Sequence, residues 1–160
     1  MLNRRFLGLA LVAATLAGCA TAPHPSSVAD TIAKNPSLST MSSLITQAGM
    51  TATLAGAGPF TVFAPSNEAF KLVPAKTMDD LAKNPEKLKD VLGLHVIAQK
   101  LTAADVKNSN LKALNGGSLA LSKAGDYVIV ESAMVTQADI QASNGVVHII
   151  DAVVLAAQKK

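Results

Sequence analysis

With 160 residues and a single cysteine, the chain is long enough for one hydrophobic core and too poor in thiols for a disulfide framework or a cysteine metal cluster. Hydrophobic residues make up 49% but aromatic ones only 3%, and Trp is absent, so the core is expected to be aliphatic. The formal charge of +3 includes Arg4 and Arg5 at the N-terminus; the rest is near neutral at +1, with lysines scattered among acids (Lys83, Glu86, Lys87, Lys89, Asp90), which argues against nucleic-acid binding.

Met1 to Arg5 carries two positive charges, Phe6 to Ala14 is apolar, and the small residues Ala17 and Gly18 precede Cys19, the layout of a secretory signal. The apolar stretch from Phe6 to Ala17 is about 12 residues, against the roughly 20 that a membrane-crossing helix needs. The paired arginines hold this end on the cytoplasmic side, so the rest of the chain is exported. Leu16-Ala17-Gly18-Cys19 resembles the lipobox of bacterial lipoproteins. That resemblance implies cleavage before Cys19, a diacylglyceryl group on its sulfur and acylation of the new amino terminus, anchoring the protein to a membrane through covalent lipid. A thioether also removes the oxidation risk of a lone exported thiol. At about 0.8 kcal/mol per buried CH₂, three acyl chains would make release negligible. Ala20 stands where lipoproteins kept at an inner membrane often have Asp, which points to the periplasmic face of an outer membrane or to the cell surface. The chain then divides into a signal peptide (1–18), a lipidated N-terminus with a small, polar, proline-containing tether (19–27) and a folded domain (28–157).

From Ser27 the pattern is helical, with Val28 and Ile32 four apart and Asn35-Pro36 as the stop. Leu38, Met41, Leu44, Ile45 and Ala48 predict a second helix, with Ser37 as N-cap and Gly49 past its end. Phe60 to Ala64 alternates, Phe60, Val62 and Ala64 on one face and Thr61 and Phe63 on the other, and Pro65 stops this strand. Ser66 is placed to cap a short helix with Ala69 and Phe70. Thr77 with Asp80 fits a capping box, and Asn84-Pro85-Glu86 opens a helix through Leu88, Val91 and Leu92.

After His95 short apolar runs alternate with turn signals at Asn115-Gly116-Gly117, Ala124-Gly125-Asp126 and Asn144-Gly145. The expected strands are His95 to Ala98, Leu111 to Leu114, Ser118 to Ser122, Tyr127 to Glu131, Met134 to Gln141 and Val146 to Leu155. In the last, Val147, Ile149 and Val153 alternate with Val146, His148 and Ile150, and Asn144-Gly145 is expected to supply the positive φ of a tight hairpin. Helices followed by a meander of strands make an α+β fold.

Gly58-Pro59-Phe60-Thr61-Val62-Phe63-Ala64-Pro65-Ser66-Asn67-Glu68-Ala69-Phe70 closely resembles the first motif block of fasciclin domains, and Asn144-Gly145-Val146-Val147-His148-Ile149-Ile150-Asp151 the second. Leu94-His95-Val96, followed by Lys100-Leu101-Thr102-Ala103-Ala104-Asp105-Val106, is similar to the central stretch between them. The resemblance runs from about Val28 to Ala156. It implies a wedge of short strands, sandwich-like, with N-terminal flanking helices, found in cell-surface and secreted proteins that adhere to other proteins or to matrix. It carries over Thr61, Phe63, Ala64, Pro65, Asn67, Phe70, His95, Asn144, Gly145, His148 and Asp151 as motif residues, mainly structural and candidates for interaction, and no catalytic residue. Animal members implicated in integrin adhesion carry a Tyr-His pair in the central block; here Leu94 precedes His95.

His95 and His148 are the candidate bases, since His24 lies in the tether, and Ser66, Asp151 and Glu68 could nominally complete a triad. There is no Gly-x-Ser-x-Gly elbow, no His-Glu-x-x-His, no phosphate loop and no cysteine cluster. Both imidazoles are expected to be half-buried and bonded to backbone or a neighbouring side chain. Met41, Met50, Met78 and Met134 are too dispersed for a copper site, and no metal or cofactor is implied. The favoured reading is a monomeric, non-catalytic adhesion module for protein or polysaccharide. A carrier of a small apolar ligand would need a connected apolar pocket of at least about 300 Å³. A hydrolase would need His95 or His148 in reach of a Ser or Asp in an open cleft.

Overall fold

The computed structural model describes residues 26–155; the expected signal peptide, the lipobox-like residues Leu16 to Cys19 and the expected tether up to Pro25 lie outside them. The helical part comprises α1 (Val28–Lys34), a 3₁₀ turn (Pro36–Leu38), α2 (Ser39–Gln47) and α3 (Thr51–Ala55), then, after β1 (Phe60–Pro65), α4 (Asn67–Lys71), α5 (Ala75–Lys83) and α6 (Pro85–Leu94). The later strands are β2 (Val96–Ile97), β3 (Ser109–Lys112), β4 (Ser118–Ala124), β5 (Tyr127–Val130), β6 (Ala133–Ala142) and β7 (Gly145–Ile150).

All seven strands join one sheet in the order β2-β1-β7-β6-β5-β4-β3. β1 and β7 are parallel, Phe60 opposite Gly145 and Pro65 opposite Ile150, and every other neighbouring pair is antiparallel. Beyond β3, Ala113 bridges Ile97, and the Leu114 N–H donates to the Val96 carbonyl at 2.7 Å. The two edges of the sheet therefore meet, and the sheet curls almost into a barrel. This is the α+β arrangement of helices and short strands that the sequence predicts.

The alternation read from the sequence sorts β1 and β7 between two cores. Val62, Ala64, Val147 and Ile149 pack on the helical layer with Val28, Ile32, Leu38, Met41, Leu54 and Leu88. Phe63 and Ile150 point the other way, into the barrel with Leu119, Leu121, Val128, Val130 and Val154. A strand with both faces covered is apolar along its whole length, and β7 is buried at every position.

Helix starts follow local chemistry, in places differently from expectation. The Ser66 hydroxyl accepts the Ala69 N–H on α4, as predicted, and Ser27 closes a full capping box with Asp30 on α1 that the sequence reading does not single out. Ser37 is not an N-cap: the Asn35 side chain takes the Ser37 N–H and starts the 3₁₀ turn instead. Thr77 and Asp80 form no capping box, because α5 begins three residues earlier, at Ala75 with Pro74 in the N-cap position, and Thr77 lies inside it. His95 is no strand residue; it ends α6, whose first residue is the predicted Pro85. The third strand runs Ser109–Lys112 rather than to Leu114, and the last stops at Ile150 rather than Leu155, where backbone pairing ends. The five-residue α3 has no sequence-level signal.

The glycine of the last turn does a different job from the one expected. Gly145 is not among the residues with positive φ; those are Gly49, Gly116 and Gly125 among the glycines. What Gly145 requires is the absence of a side chain, since a Cβ there would overlap the Phe60 carbonyl oxygen on β1.

Candidate functional site

The motif residues are brought together along the β1–β7 seam, and nearly all of their polar atoms are bonded to backbone. At one end of the seam the Asn144 side chain accepts the Val28 N–H at 2.8 Å and donates to the carbonyls of Leu54 at 2.8 Å and Gly56 at 2.6 Å. One amide thus ties the turn before β7 to the start of α1 and the end of α3. Near the other end, Asn67 accepts the Thr40 N–H at 3.0 Å and donates to the Pro36 carbonyl at 2.9 Å, joining α4 to α2 and the 3₁₀ turn. Asp151 accepts the Met134 N–H at 2.7 Å and closes β6 against the end of β7. Ala64 and Phe70 fill the helical core, and Pro65 is the last β1 residue in register with β7.

The barrel side of the seam holds the buried polar residues. Thr61, His95 and His148 are each at most 1% exposed, deeper than the half-burial expected for the imidazoles. The Thr61 hydroxyl donates to the Gln99 carbonyl at 2.7 Å and accepts the Leu101 N–H at 2.8 Å. His148 stacks on Phe63 at 5.3 Å between ring centres, accepts the Asp139 N–H on Nδ1 at 3.2 Å and bonds the Leu101 carbonyl through Nε2 at 2.9 Å. His95 bonds the Val91 carbonyl through Nδ1 at 2.8 Å and accepts the Val154 N–H on Nε2 at 3.1 Å. Each ring therefore needs one protonated and one bare nitrogen, and the network assigns the neutral form with opposite tautomers. Burial pushes His95 down to about 4 against the pull of the Val91 carbonyl. Burial also lowers His148, opposed by the Leu101 carbonyl and the Asp139 carboxylate.

The nominal triad does not assemble. Ser66 is occupied as a cap, Glu68 pairs with Lys71 on the surface, and Asp151 holds Met134. Neither imidazole has a Ser or Asp side chain among its bonding partners, and neither opens to a cleft. Among the described residues no group of three or more His, Cys, Asp or Glu side chains is arranged to hold a metal, and no helix is long and apolar enough to cross a membrane. Two surface depressions of about 470 and 440 Å³ are broad and open. One is lined by Thr31, Lys34, Asn35, Pro36 and Ile140 among others, the second by Ser43, Leu44, Gln47, Met78 and Ala82 among others; their linings mix polar and apolar groups, and because both lie open to solvent neither is an enclosed pocket that would bury a small apolar ligand. Large apolar side chains on the exterior include Leu72, 77% exposed, and Tyr127, 63% exposed.

Sequence reasoning missed the part played by Asp139. The register of β6 slips against β7 on either side of Gln137, and Asp139 adopts φ +58, so that its N–H reaches His148 while its carboxylate accepts the Ala103 N–H at 2.9 Å. Asp tolerates this backbone region better than most residues, but nothing in the run Gln137-Ala138-Asp139-Ile140 announces a bulge.

The comparisons agree with this architecture. The fasciclin domain family matches residues 36–156. The chain is 39% identical over 130 residues to Protein sll1483 of Synechocystis sp., covering 80% of this chain and 72% of that one. It is 32% identical over 146 residues to the Cell surface glycolipoprotein MPB83 of Mycobacterium bovis, covering 88% of this chain and 64% of that one. Its fold superposes with a TM-score of 0.65 on a FAS1 domain pair from the insect cell adhesion molecule Fasciclin I, at 18% identity, over 81% of this chain and 51% of that chain. The chain belongs to the fasciclin domain family.

Proposed function

We propose that the protein is an exported, lipid-anchored fasciclin-domain lipoprotein of the bacterial cell envelope, at the periplasmic face of the outer membrane or the cell surface. In this reading it is a monomer that works without catalysis, as an adhesion or interaction module for a protein or polysaccharide. The observation that carries the reading is the way the motif side chains are used: Thr61, His95 and His148, fully buried, and Asn67, Asn144 and Asp151, half-buried at the rim, are all bonded to backbone. Ligand contact is thereby left to the exterior, where Leu72 and Tyr127 stand free. The adhesion molecule of like fold supports this reading.

The anchoring part rests on the Leu16 to Cys19 lipobox and on where the chain enters the domain. The Ser26 carbonyl accepts the Ser143 N–H at 2.9 Å, which pins the entry point beside the turn before β7. Six residues separate Cys19 from Ser26, a reach of about 20 Å when extended. Lipid on Cys19 would keep that end of the domain next to the headgroups. Similarity to the glycolipoprotein covers more of this chain than the domain itself and so extends into the segment before Val28, which supports the same reading.

Detergent-phase partitioning of full-length protein expressed in a bacterium tests the anchor. The wild type is expected in the detergent phase and Cys19→Ala in the aqueous phase; unchanged partitioning overturns lipid attachment. Affinity capture from envelope extracts with soluble protein beginning near Pro25 tests the binding role, and reproducible recovery of no protein or glycan counts against it.

A further inference from the structure

Residues 99–106 come after β2 without belonging to any strand, running from β1 past β7 and β6 towards β4. Leu101 and Val106, 8% and 2% exposed, belong to the barrel-interior cluster with Phe63, Leu121 and Ile150, so this segment covers an opening of the barrel. Side chains of the barrel hold it. Thr61 takes the Gln99 carbonyl and the Leu101 N–H, and His148 takes the Leu101 carbonyl. Asp139 takes the Ala103 N–H, and the Lys123 ammonium takes the Ala103 carbonyl at 2.9 Å. His148 is linked twice, since its second nitrogen accepts the N–H of the same Asp139 whose carboxylate grips Ala103.

We propose that residues 99–106 form an acid-released strap: proton uptake by His148 favours a state in which the strap lifts from the barrel, uncovering Leu101, Val106 and the apolar interior beneath. Protonation puts a hydrogen on Nδ1, so the Asp139 N–H loses its acceptor. The Asp139 carboxylate is then drawn to the imidazolium and away from Ala103. The bond from Nε2 to the Leu101 carbonyl survives protonation, so release begins at the Ala103 end. The charged group that acts on the ring is Asp139 on β6; Lys123 on β4 reaches the strap at the Ala103 carbonyl, the strap's own Asp105 is bonded to Thr102 and its Lys100 lies beside Leu101 in sequence, and β1 presents only the uncharged Thr61 and Phe63.

Linkage sets the direction. Burial under the strap holds the imidazole below its ordinary value, and lifting the strap lets water restore it to about 6.5. The open state binds the proton more tightly, so its population rises by up to about tenfold for each pH unit below 6.5, until the ring titrates in the closed state. His95 bonds Val91 and Val154 and makes no hydrogen bond to the strap, which makes it an internal control.

Amide hydrogen exchange by NMR on the folded domain tests this, with the intrinsic pH dependence of exchange removed. Opening at Leu101 and Ala103 is expected to rise about tenfold per unit of acidification while amides of β1 and β7 stay protected, with a midpoint that tracks the titration of His148 and not of His95. His148→Gln, an uncharged side chain that can still donate and accept, is expected to flatten the dependence, and His95→Gln to leave it in place. Strap and strand amides losing protection together, a midpoint that tracks His95, or an undiminished rise in His148→Gln would each overturn the strap. If His148→Gln does not fold, the wild-type comparison of midpoints decides alone.

Discussion

The two sides of the β1–β7 seam are made by the same strands yet close their polar accounts differently. Towards the helices the packing is apolar and mainly aliphatic, and polar closure lies at the rim, where the neutral amides of Asn144 and Asn67 bind backbone groups. Towards the barrel the polar groups are inside, and two of the three are imidazoles. An amide holds its partners at any pH, whereas an imidazole that accepts an N–H does so only while neutral. Sensitivity to acid is therefore built into one side of the molecule, and the seam that both sides share should be the most intolerant of change.

Gly145→Ala attacks that shared seam and carries the largest expected loss. The new Cβ would overlap the Phe60 carbonyl on the neighbouring strand, and backbone on backbone has no rotamer to give. A loss of about 4 kcal/mol or more in urea unfolding is expected. A loss under about 1 kcal/mol would mean that β1 can move away from β7 freely. Asn144→Ala breaks the helix side alone. It leaves the Val28 N–H and the Leu54 and Gly56 carbonyls without their partner, and about 3 kcal/mol is expected from three bonds at about 1 kcal/mol each. Its pH profile should parallel the wild type, because no titrating group is touched.

The barrel side should respond to acid instead. His95 is lowered from 6.5 to about 4 in the folded chain, so between these values the unfolded chain takes up the proton first. The contribution is complete above about pH 6.5 and is lost progressively as pH falls to about 4, reaching about 3 kcal/mol at 1.36 kcal/mol per unit. His148 is shifted in the same direction and adds to the fall. Urea unfolding free energies across this range should decline in both the wild type and Asn144→Ala; a flat profile would mean that the rings are not buried neutral.

How far these differences could be read in advance depends on which physical signal carried them. The two-sidedness of β1 was legible because period-two alternation survives in Phe60 to Ala64, and the Ser66 cap because a hydroxyl before a short helix has one obvious use. Thr61 and His148 could be placed on the barrel face, but not their hold on residues 99–101, since those bonds join positions about 40 or more apart in sequence. Asp139 was hidden for a further reason: its bulge is stabilised by the imidazole it feeds rather than by a glycine. The α3 helix was missed because Leu54 is its only buried residue and no side chain caps it. The start of α5 was misplaced because Thr77 and Asp80 imitate a capping box, whereas the helix starts behind Pro74 with no side-chain cap at all.

The two Asn-Gly pairs give the smallest effect and the sharpest discrimination. Gly116 comes after Asn115 between β3 and β4 with φ +84, and a Cβ there would meet no atom within 4 Å, so the cost of a side chain is backbone strain alone. Asn115 itself bonds the Gly117 N–H and the Asp90 carbonyl and would remain in place. Gly116→Ala should therefore lose only about 1 kcal/mol. Gly116→Asn should lose less still, because Asn enters the left-handed region more readily than Ala. At position 145 the same exchange from Ala to Asn should recover nothing, since the obstacle is the Cβ that both residues share. Unfolding free energies for the four variants separate the two causes: rescue by Asn at 145 would restore the positive-φ account of that turn, and failure of Asn to improve on Ala at 116 would remove it from this one.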